Sequence, residues 1–445
     1  MEYMVQPQRD IKFLLSKKRL GDGIHQKGNI MKLPKPFQEK PLSKILEAID
    51  HVARVFLNPD DPLRQEAELQ LASLFSKEMA SSILNRLFQQ LTHTQLFRML
   101  EEEIHDPRRL DTFRPRRHHT GFTRAYGPKR ITHILPGNIP DIAVMSLVFA
   151  LIVKSASIAK ISAKAPSLAP LFLRALQNVD KALAESIVLI PSGDDEKKEI
   201  DAALHWANLV ILYGSDQTIE AVCAQIPPRT KTVVYGQKYS IGIVSRENIS
   251  STVAEAIAQD ITLYDQRGCL SPHLYYVECP TEAASQSATF AQWVAEALER
   301  IPPPYGPTLP ETASMIQQLR GTIPLKGGVV FASKASVDWT VLHDPDPSFA
   351  LSPGGRTIFL KPVADISEIP HLLEPVRSAL QAVGVAVPPK RLPSCLHALG
   401  DLGVSRICPI GKMQEPPLTW HHDGRFRILD LLHFVDWEGE EAAFG

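Results

Sequence analysis

Five short runs of β-branched and aliphatic residues, ITHIL from Ile131, SIAKIS from Ser157, SIVLI from Ser186, NLVILY from Asn208 and TVVY from Thr232, alternate with helix-like stretches starting near Pro140, Pro166, Asp195 and Ser215. Short apolar runs of this kind suit strands buried on both faces. A strand–helix–strand succession repeated four times requires a parallel sheet covered by helices on both sides. Ligands of such a sheet gather at the carboxyl ends of its strands, where loops and helix N-termini meet.

The flanking sequence is of another kind. Between Pro41 and Glu103, LSKILEAIDHVARVFL and LRQEAELQLASLFSKEMASSILNRLFQQL space their apolar residues by three and four, the pattern of amphipathic helices, and the first hundred residues hold no strand-like run. HDPRRLDTFRPRRHH, from His105, is basic and broken by proline, and reads as a connecting arm. Beyond Cys269 the pattern is again mixed, with a strand at 273–278 and a helix near Glu282 to Arg300. The tail holds an extended proline-containing segment and a short amphipathic run at Ile428 to Trp437. The expected division is a helical region and arm over 1–120, a Rossmann-like cofactor-binding domain over 121–262, a catalytic domain over 263–410, and a C-terminal segment over 411–445. That last segment packs back on the chain or lies at an oligomer interface.

Charge and cysteine usage exclude several functions. With 48 basic and 49 acidic residues the chain has no general attraction for nucleic acid or anionic membrane. Five cysteines, at 223, 269, 279, 395 and 408, form no CxxC pair and suit neither a disulfide framework nor a thiolate zinc site. A reducing cytoplasm fits them best. The N-terminus lacks the uninterrupted apolar stretch of a secretory signal, and the longest apolar run, Ile142 to Val153, is shorter than the ~20 residues of a membrane span.

Three loops following strands offer chemistry. LPGNIP, from Leu135, presents the Asn138 amide, a donor at a helix start and equally an ordinary N-cap. LYGSDQTIEAV sets Gly214 and Ser215 before a helix, a natural phosphate cradle or a plain serine cap, with no GxGxxG and no P-loop nearby. SIAKISAKAPS ends a buried strand on Lys160, which needs an anionic partner: a ribose or phosphate group, or a neighbouring carboxylate. Lys164 reads as exposed.

LYDQRGCLSPHLYYVE, from Leu263, places Cys269 between an apparent helix end and a buried strand. Arg267 and His273 flank the thiol and would favour its ionised form if they faced it, although a strand-start histidine is more often structural. Cys223 fits an apolar helix face, Cys279 a strand end, and Cys395 and Cys408 read as loop residues. Adjacent histidines in WHHDG, 420–424, do not share a helical face, so they suggest no metal site.

Taken in order, the asparagine after the first strand, the lysine at the end of the second, the Gly-Ser after the fourth and a cysteine beyond VYGQK resemble the aldehyde dehydrogenase superfamily. DQRGCLSPHLYYVE and the tail GVSRICPIGKMQEPPLTWHHDGR resemble more closely the acyl-CoA reductases that include the fatty-acid reductase of bacterial bioluminescence. The resemblance runs from about Gly121 to the C-terminus and is looser before it.

The resemblance implies an aldehyde dehydrogenase-like α/β fold in which Cys269 is the nucleophile and Asn138 an oxyanion donor. Lys160 would lie beside the cofactor ribose, with Gly214 and Ser215 beside its pyrophosphate. It implies NADPH as cofactor, no metal, a fatty acyl-CoA or other acyl thioester as substrate, a possible acyl-activating synthetase as partner, and a homo-oligomer. Where aldehyde-oxidising members carry a catalytic glutamate, this chain has Val234, which cannot activate water against an enzyme thioester. The expected reaction is therefore reduction of the thioester to a fatty aldehyde. Two alternatives remain at this point: a reductase of a polar acyl phosphate, of the glutamyl-phosphate type, and a non-catalytic acyl-accepting subunit. An apolar pocket leading to Cys269 would favour the first reading, and a pocket lined by Arg and Lys the second.

Overall fold

The computed structural model describes residues 35–118, 120–162, 166–190, 196–280, 284–306 and 308–439. Lys164 and Glu282 lie outside the described residues.

The helical pattern of the first hundred residues resolves into helices Leu42–Leu57, Pro62–Leu71, Lys77–Gln90 and His93–Ile104. Asp61 and Ser76 cap the second and third by accepting from Leu63 and Met79 backbone N–H groups, which is why the longer sequence run divides there. Their apolar faces, including Ile45, Ile49, Phe56, Leu84 and Phe88, share one core with the first parallel sheet.

The basic arm is more than a linker. It forms β1 (Arg114–Pro115), antiparallel to β2 (Phe122–Tyr126). Just before it, Asp111 accepts from the Leu42 backbone N–H and the Lys154 ammonium. The arm is thereby tied to both the helical region and the sheet.

The five runs read from the sequence become β3 (Arg130–Ile134), β4 (Ala156–Lys160), β5 (Ile187–Ile190), β6 (Leu209–Tyr213) and β7 (Lys231–Tyr235). They form one all-parallel sheet in the order β5-β4-β3-β6-β7. The reversal of strand order beside β3 opens the crevice expected at the carboxyl edge of such a sheet. Helices Asp141–Ile152 and Ala169–Val179 pack on one face with the N-terminal helices, and Glu196–Trp206 and Asp216–Cys223 contribute to the other.

A second sheet combines β8 (Tyr239–Val244), β9 (Pro272–Glu278), β10 (Val329–Ala332), β11 (Thr340–His343), β12 (Thr357–Val363), β13 (Leu380–Ala386) and β14 (Arg406–Pro409), in the order β10-β11-β12-β9-β8-β13-β14. Only the β10–β11 pair is antiparallel. Helices Ser251–Thr262 and Ala284–Glu299 cover one face, and Leu392–Asp401 helps cover the other. Cys395 therefore lies in a helix and Cys408 in a strand, not in loops, and both are buried. The amphipathic run near the C-terminus becomes a short 3-10 turn, Leu429–Leu431, and β15 (His433–Trp437), which pairs with β2 and leaves Phe434, Val435 and Trp437 exposed.

The tail is fastened by buried carboxylates. Glu103 accepts the backbone N–H groups of Arg427, Ile428 and Leu429 at 2.9, 2.7 and 3.0 Å. Asp260, pushed up to about 6 by burial against the pull of its hydrogen bonds, accepts from Gly411 and Met413. These ties bring WHHDG to the carboxyl edge of the first sheet.

Candidate active site

Cys269 lies in a turn between helix Ser251–Thr262 and β9. The helix does not simply end there. Tyr264, Asp265 and Gln266 take φ values of 57°, 48° and 60°, a left-handed turn of three non-glycine residues at a cost of about 1–2 kcal/mol each. Neighbouring side chains hold it. Arg356 donates to Asp265 Oδ1 from Nε at 2.8 Å and from Nη2 at 2.6 Å. Gln266 brackets Thr357, donating to its carbonyl at 2.8 Å and accepting its N–H at 2.9 Å. The cysteine thus follows a segment clamped to the start of β12.

Cys269 lines a cleft of about 450 Å³. Helix Lys77–Gln90 supplies Leu87 to its wall, and the first turns after β3 supply Ile139, Ile142, Met145 and Phe149. Tyr264, Leu270 and Leu418 add further apolar surface. Two cations line it. Arg86 is paired with Glu415 at 2.7 Å, and Arg427 lies over the rings of Phe149 and Trp420 while donating to the Trp420 carbonyl.

The residue keeps some exposure along this cleft, yet protein surrounds the sulfur. Burial, then the carboxylates of Asp423 and Asp141, push the thiol up to about 12, with only a hydrogen bond from Gln381 and a backbone bond opposing them. The two flanking groups considered from sequence do not act on it. Arg267 turns its guanidinium to the Phe75 ring, and His273 meets Tyr239 edge-on while burial depresses its pKa.

Asn138 reaches this turn. Its amide donates to the Arg267 carbonyl at 3.1 Å, and no side chain caps helix Asp141–Ile152, so the capping use does not apply. Lys160 and Ser215, by contrast, are occupied as the plainer readings anticipated. Lys160 pairs with Glu196 at 3.2 Å, and Ser215 caps helix Asp216–Cys223 by accepting from Thr218. Both, with Gly214, stand at the carboxyl edge of the five-stranded sheet. Cys223 packs beside the apolar cluster around Leu204 and Leu212.

The WHHDG turn belongs to this cleft, which the sequence reading missed. Trp420, His422 and Arg427 line it. His422 stacks on Tyr235 at 4.6 Å, and Tyr235 on Tyr213 at 4.5 Å. Burial, with Arg427 nearby, depresses His422 to about 3, so its ring is neutral. Asp423 at φ 54° followed by Gly424 at φ 73° makes the turn, and an Asp-Gly pair was the available signal. Val234 stands immediately before Tyr235 in β7, without an ionisable group.

This architecture is that of the aldehyde dehydrogenases. Aldehyde dehydrogenase 21 from Physcomitrella patens superposes with a TM-score of 0.70 at 12% identity, covering 90% of this chain and 86% of its own. An NADP-dependent glyceraldehyde-3-phosphate dehydrogenase from Bacillus halodurans, complexed with NADP, gives 0.70 at 14% identity, covering 91% and 88%.

Within that fold, residues 37–434 match the family model described as acyl-CoA reductase (LuxC), and the chain belongs to that family. A long-chain acyl-protein thioester reductase from Aliivibrio fischeri is 25% identical over 321 residues, which are 70% of this chain and 64% of that protein.

Proposed function

We propose that this protein reduces a long-chain acyl thioester to the aldehyde through an acyl-enzyme on Cys269. The observation carrying the proposal is the cleft at Cys269, whose walls are mainly apolar and whose two cations are engaged with Glu415 and with aromatic faces. A polar acyl phosphate would find no cluster of cations among the described residues lining it. An alkyl chain laid against Leu87, Ile142, Met145 and Phe149 gains about 0.8 kcal/mol per methylene buried.

In the reaction the Cys269 sulfur attacks the thioester carbonyl, the donor thiol leaves, and an enzyme thioester remains. Asn138 has a second amide N–H beyond the one given to Arg267, available to a carbonyl oxygen held near the turn. Val234 offers no base for water, so the enzyme thioester persists until it is reduced or returned to a thiol.

The residues at the sheet edge fit a nicotinamide dinucleotide. Lys160 supplies a cation, its partner Glu196 an acceptor for a ribose hydroxyl, and Gly214 and Ser215 the start of a helix that favours phosphate. When bound, that cofactor supplies the hydride. NADPH remains the cofactor we propose, as the resemblance implies. Lys160 adds nothing to that choice over NADH, because Glu196 already balances its charge.

The reading extends to the donor and to assembly. We assign the acyl group to a CoA or protein thioester delivered by an activating synthetase. Self-association would cover the exposed side chains of β15. Incubating the full chain with acyl-CoAs of several lengths and with an acyl-protein thioester, each with NADPH or NADH, tests the whole proposal. Aldehyde should form in step with nicotinamide oxidation, fastest with long chains. Preference for a short polar acyl phosphate would support the alternative reductase instead, and failure to bind cofactor would support an acyl-accepting subunit.

A further inference from the structure

Of the two cations lining the Cys269 cleft, Arg86 has an anion and Arg427 has none. Arg86 is paired with Glu415, which Lys412 also holds. Arg427 forms no ion pair among the described residues. Its guanidinium carbon lies over the Phe149 and Trp420 rings, 5.6 Å from each centre, and its Nε donates to the Trp420 carbonyl at 3.2 Å. Glu103 fixes the backbone beneath it by accepting the N–H groups of Arg427, Ile428 and Leu429. The head group is therefore held in place, while Nη1 and Nη2 make no hydrogen bond among the described residues. A guanidinium edge left open in this way matches a carboxylate, which takes two parallel N–H bonds from it. Charges away from water are ordinarily paired, so the open edge points to an anion that the chain itself does not supply.

The rest of the lining fits a single negative charge attached to an apolar tail. Ile142, Met145 and Phe149, spaced by three and four, lay one row of helix Asp141–Ile152 along the cleft. The row starts beside the Cys269 turn, where Asn138 donates to the Arg267 carbonyl and Ile139 packs near Gly268. It ends about 10 Å further along the helix axis, at the ring that Arg427 covers. His422 is neutral and adds no second cation. Of the two carboxyl groups lining the cleft, Glu415 is engaged by Arg86, and Asp141, at the other end of the row, is shifted by burial towards its neutral form.

We infer that this cleft also binds the anion of a free long-chain fatty acid, with its carboxylate on the Nη edge of Arg427 and its chain laid along Phe149, Met145 and Ile142 towards Cys269. That course is the reverse of the one an acyl chain takes from the sulfur. The methyl end then lies nearest the thiol, no bond forms, and the acid is a dead-end ligand occupying the acyl path. Free acid, the unactivated form of the acyl group, thereby competes with the thioester. Competition rests on the cleft being the acyl path of the proposed reaction; the carboxylate site does not.

The test needs no turnover. Dissociation constants of radiolabelled dodecanoate, dodecan-1-ol and methyl dodecanoate are measured by equilibrium dialysis against the full chain, without cofactor and near neutral pH. The acid should bind about tenfold or more tighter than the alcohol or the ester, the gain expected of a bidentate charged pair. In Arg427→Met, which keeps an unbranched stem beside the two rings, the acid should weaken to the level of the alcohol while the alcohol binds as before. Arg427→Lys, a cation without the fork, should lose most of the preference. Saturating dodecanoate should also slow alkylation of Cys269 by iodoacetamide several-fold, resolved by peptide mass, and leave Cys223 unaffected.

Equal binding of acid and alcohol by the wild-type protein would overturn the inference even if neither variant folds. So would an acid preference kept in full by folded Arg427→Met, or alkylation of Cys269 undiminished at saturating acid. Aldehyde formation is read separately. Its absence, with the acid preference and its loss in Arg427→Met both observed, would count against the proposed reaction and uphold the fatty-acid site.

Discussion

Arg356 donates twice to one oxygen of Asp265, at 2.8 and 2.6 Å, and both residues are buried with left-handed backbone, at φ 54° and 48°. The pair fastens the turn before Cys269 to the start of β12. Arg356→Met leaves a buried carboxylate uncompensated and should cost about 3–5 kcal/mol, read by chemical denaturation. Adding Asp265→Asn should recover part of that loss, because the stranded charge is gone and asparagine tolerates the turn. A double variant no more stable than Arg356→Met would mean the pair is not what holds this turn.

Asn138→Ala should slow acylation of Cys269 by roughly 10²-fold or more, the loss expected for one oxyanion donor. Its single hydrogen bond to the Arg267 carbonyl is at the exposed surface and caps no helix, so thermal unfolding should shift little. A large drop in melting temperature with unchanged acylation by the folded enzyme would give Asn138 a structural role only.

Much of this was legible in the sequence, and the reason is physical. Parallel strands buried on both faces read as short apolar runs, so β3 to β7 were located to within a residue or two and their intervening helices followed. The cleft was not legible as a whole, because its walls come from residues 86–95, 139–149, 213, 264–270 and 414–427, which only the tertiary fold unites. Tyr264 to Gln266 carry no glycine to announce a left-handed turn; the conformation is imposed by Arg356 and Thr357 from distant sequence. Lys160 shows the opposite limit. Its need for an anion was readable, but the choice of Glu196 was not.

Acid stability should depend on Glu278, which is fully buried at the end of β9. Burial opposes its ionisation, but hydrogen bonds from Arg391 and Arg246 and from two backbone N–H groups outweigh that and hold the carboxyl well below its usual range. A depressed folded pKa contributes stability above the unfolded value of about 4.3, and the contribution is lost as pH falls below it. Asp260, raised to about 6, has the opposite sign: its contribution is full at low pH and is lost as pH rises through about 6. Below about pH 4, where Asp260 no longer adds stability, denaturation midpoints should therefore fall as pH falls further, and Glu278→Gln should flatten that fall. An equally steep fall in the variant would exclude Glu278 as its source.

Val234 bears on the fate of the acyl-enzyme. Without a carboxylate there, an acyl group placed on Cys269 in the absence of cofactor should return to added thiol much faster than it appears as free fatty acid. Val234→Glu should open a hydrolytic leak, if Tyr235 and the apolar wall leave the new carboxyl ionised. Rapid hydrolysis of the wild-type acyl-enzyme, at a rate comparable to turnover, would mean that another group activates water.

The central claim is that Cys269 carries the acyl group, and covalent labelling reads it directly. A radiolabelled long-chain acyl thioester, mixed with the full chain in the absence of nicotinamide cofactor, should leave one acyl group per chain on the peptide containing Cys269. The label should discharge as aldehyde when reduced cofactor is added, should be abolished by Cys269→Ala, and should survive Cys223→Ala. Undiminished labelling of Cys269→Ala would contradict the account.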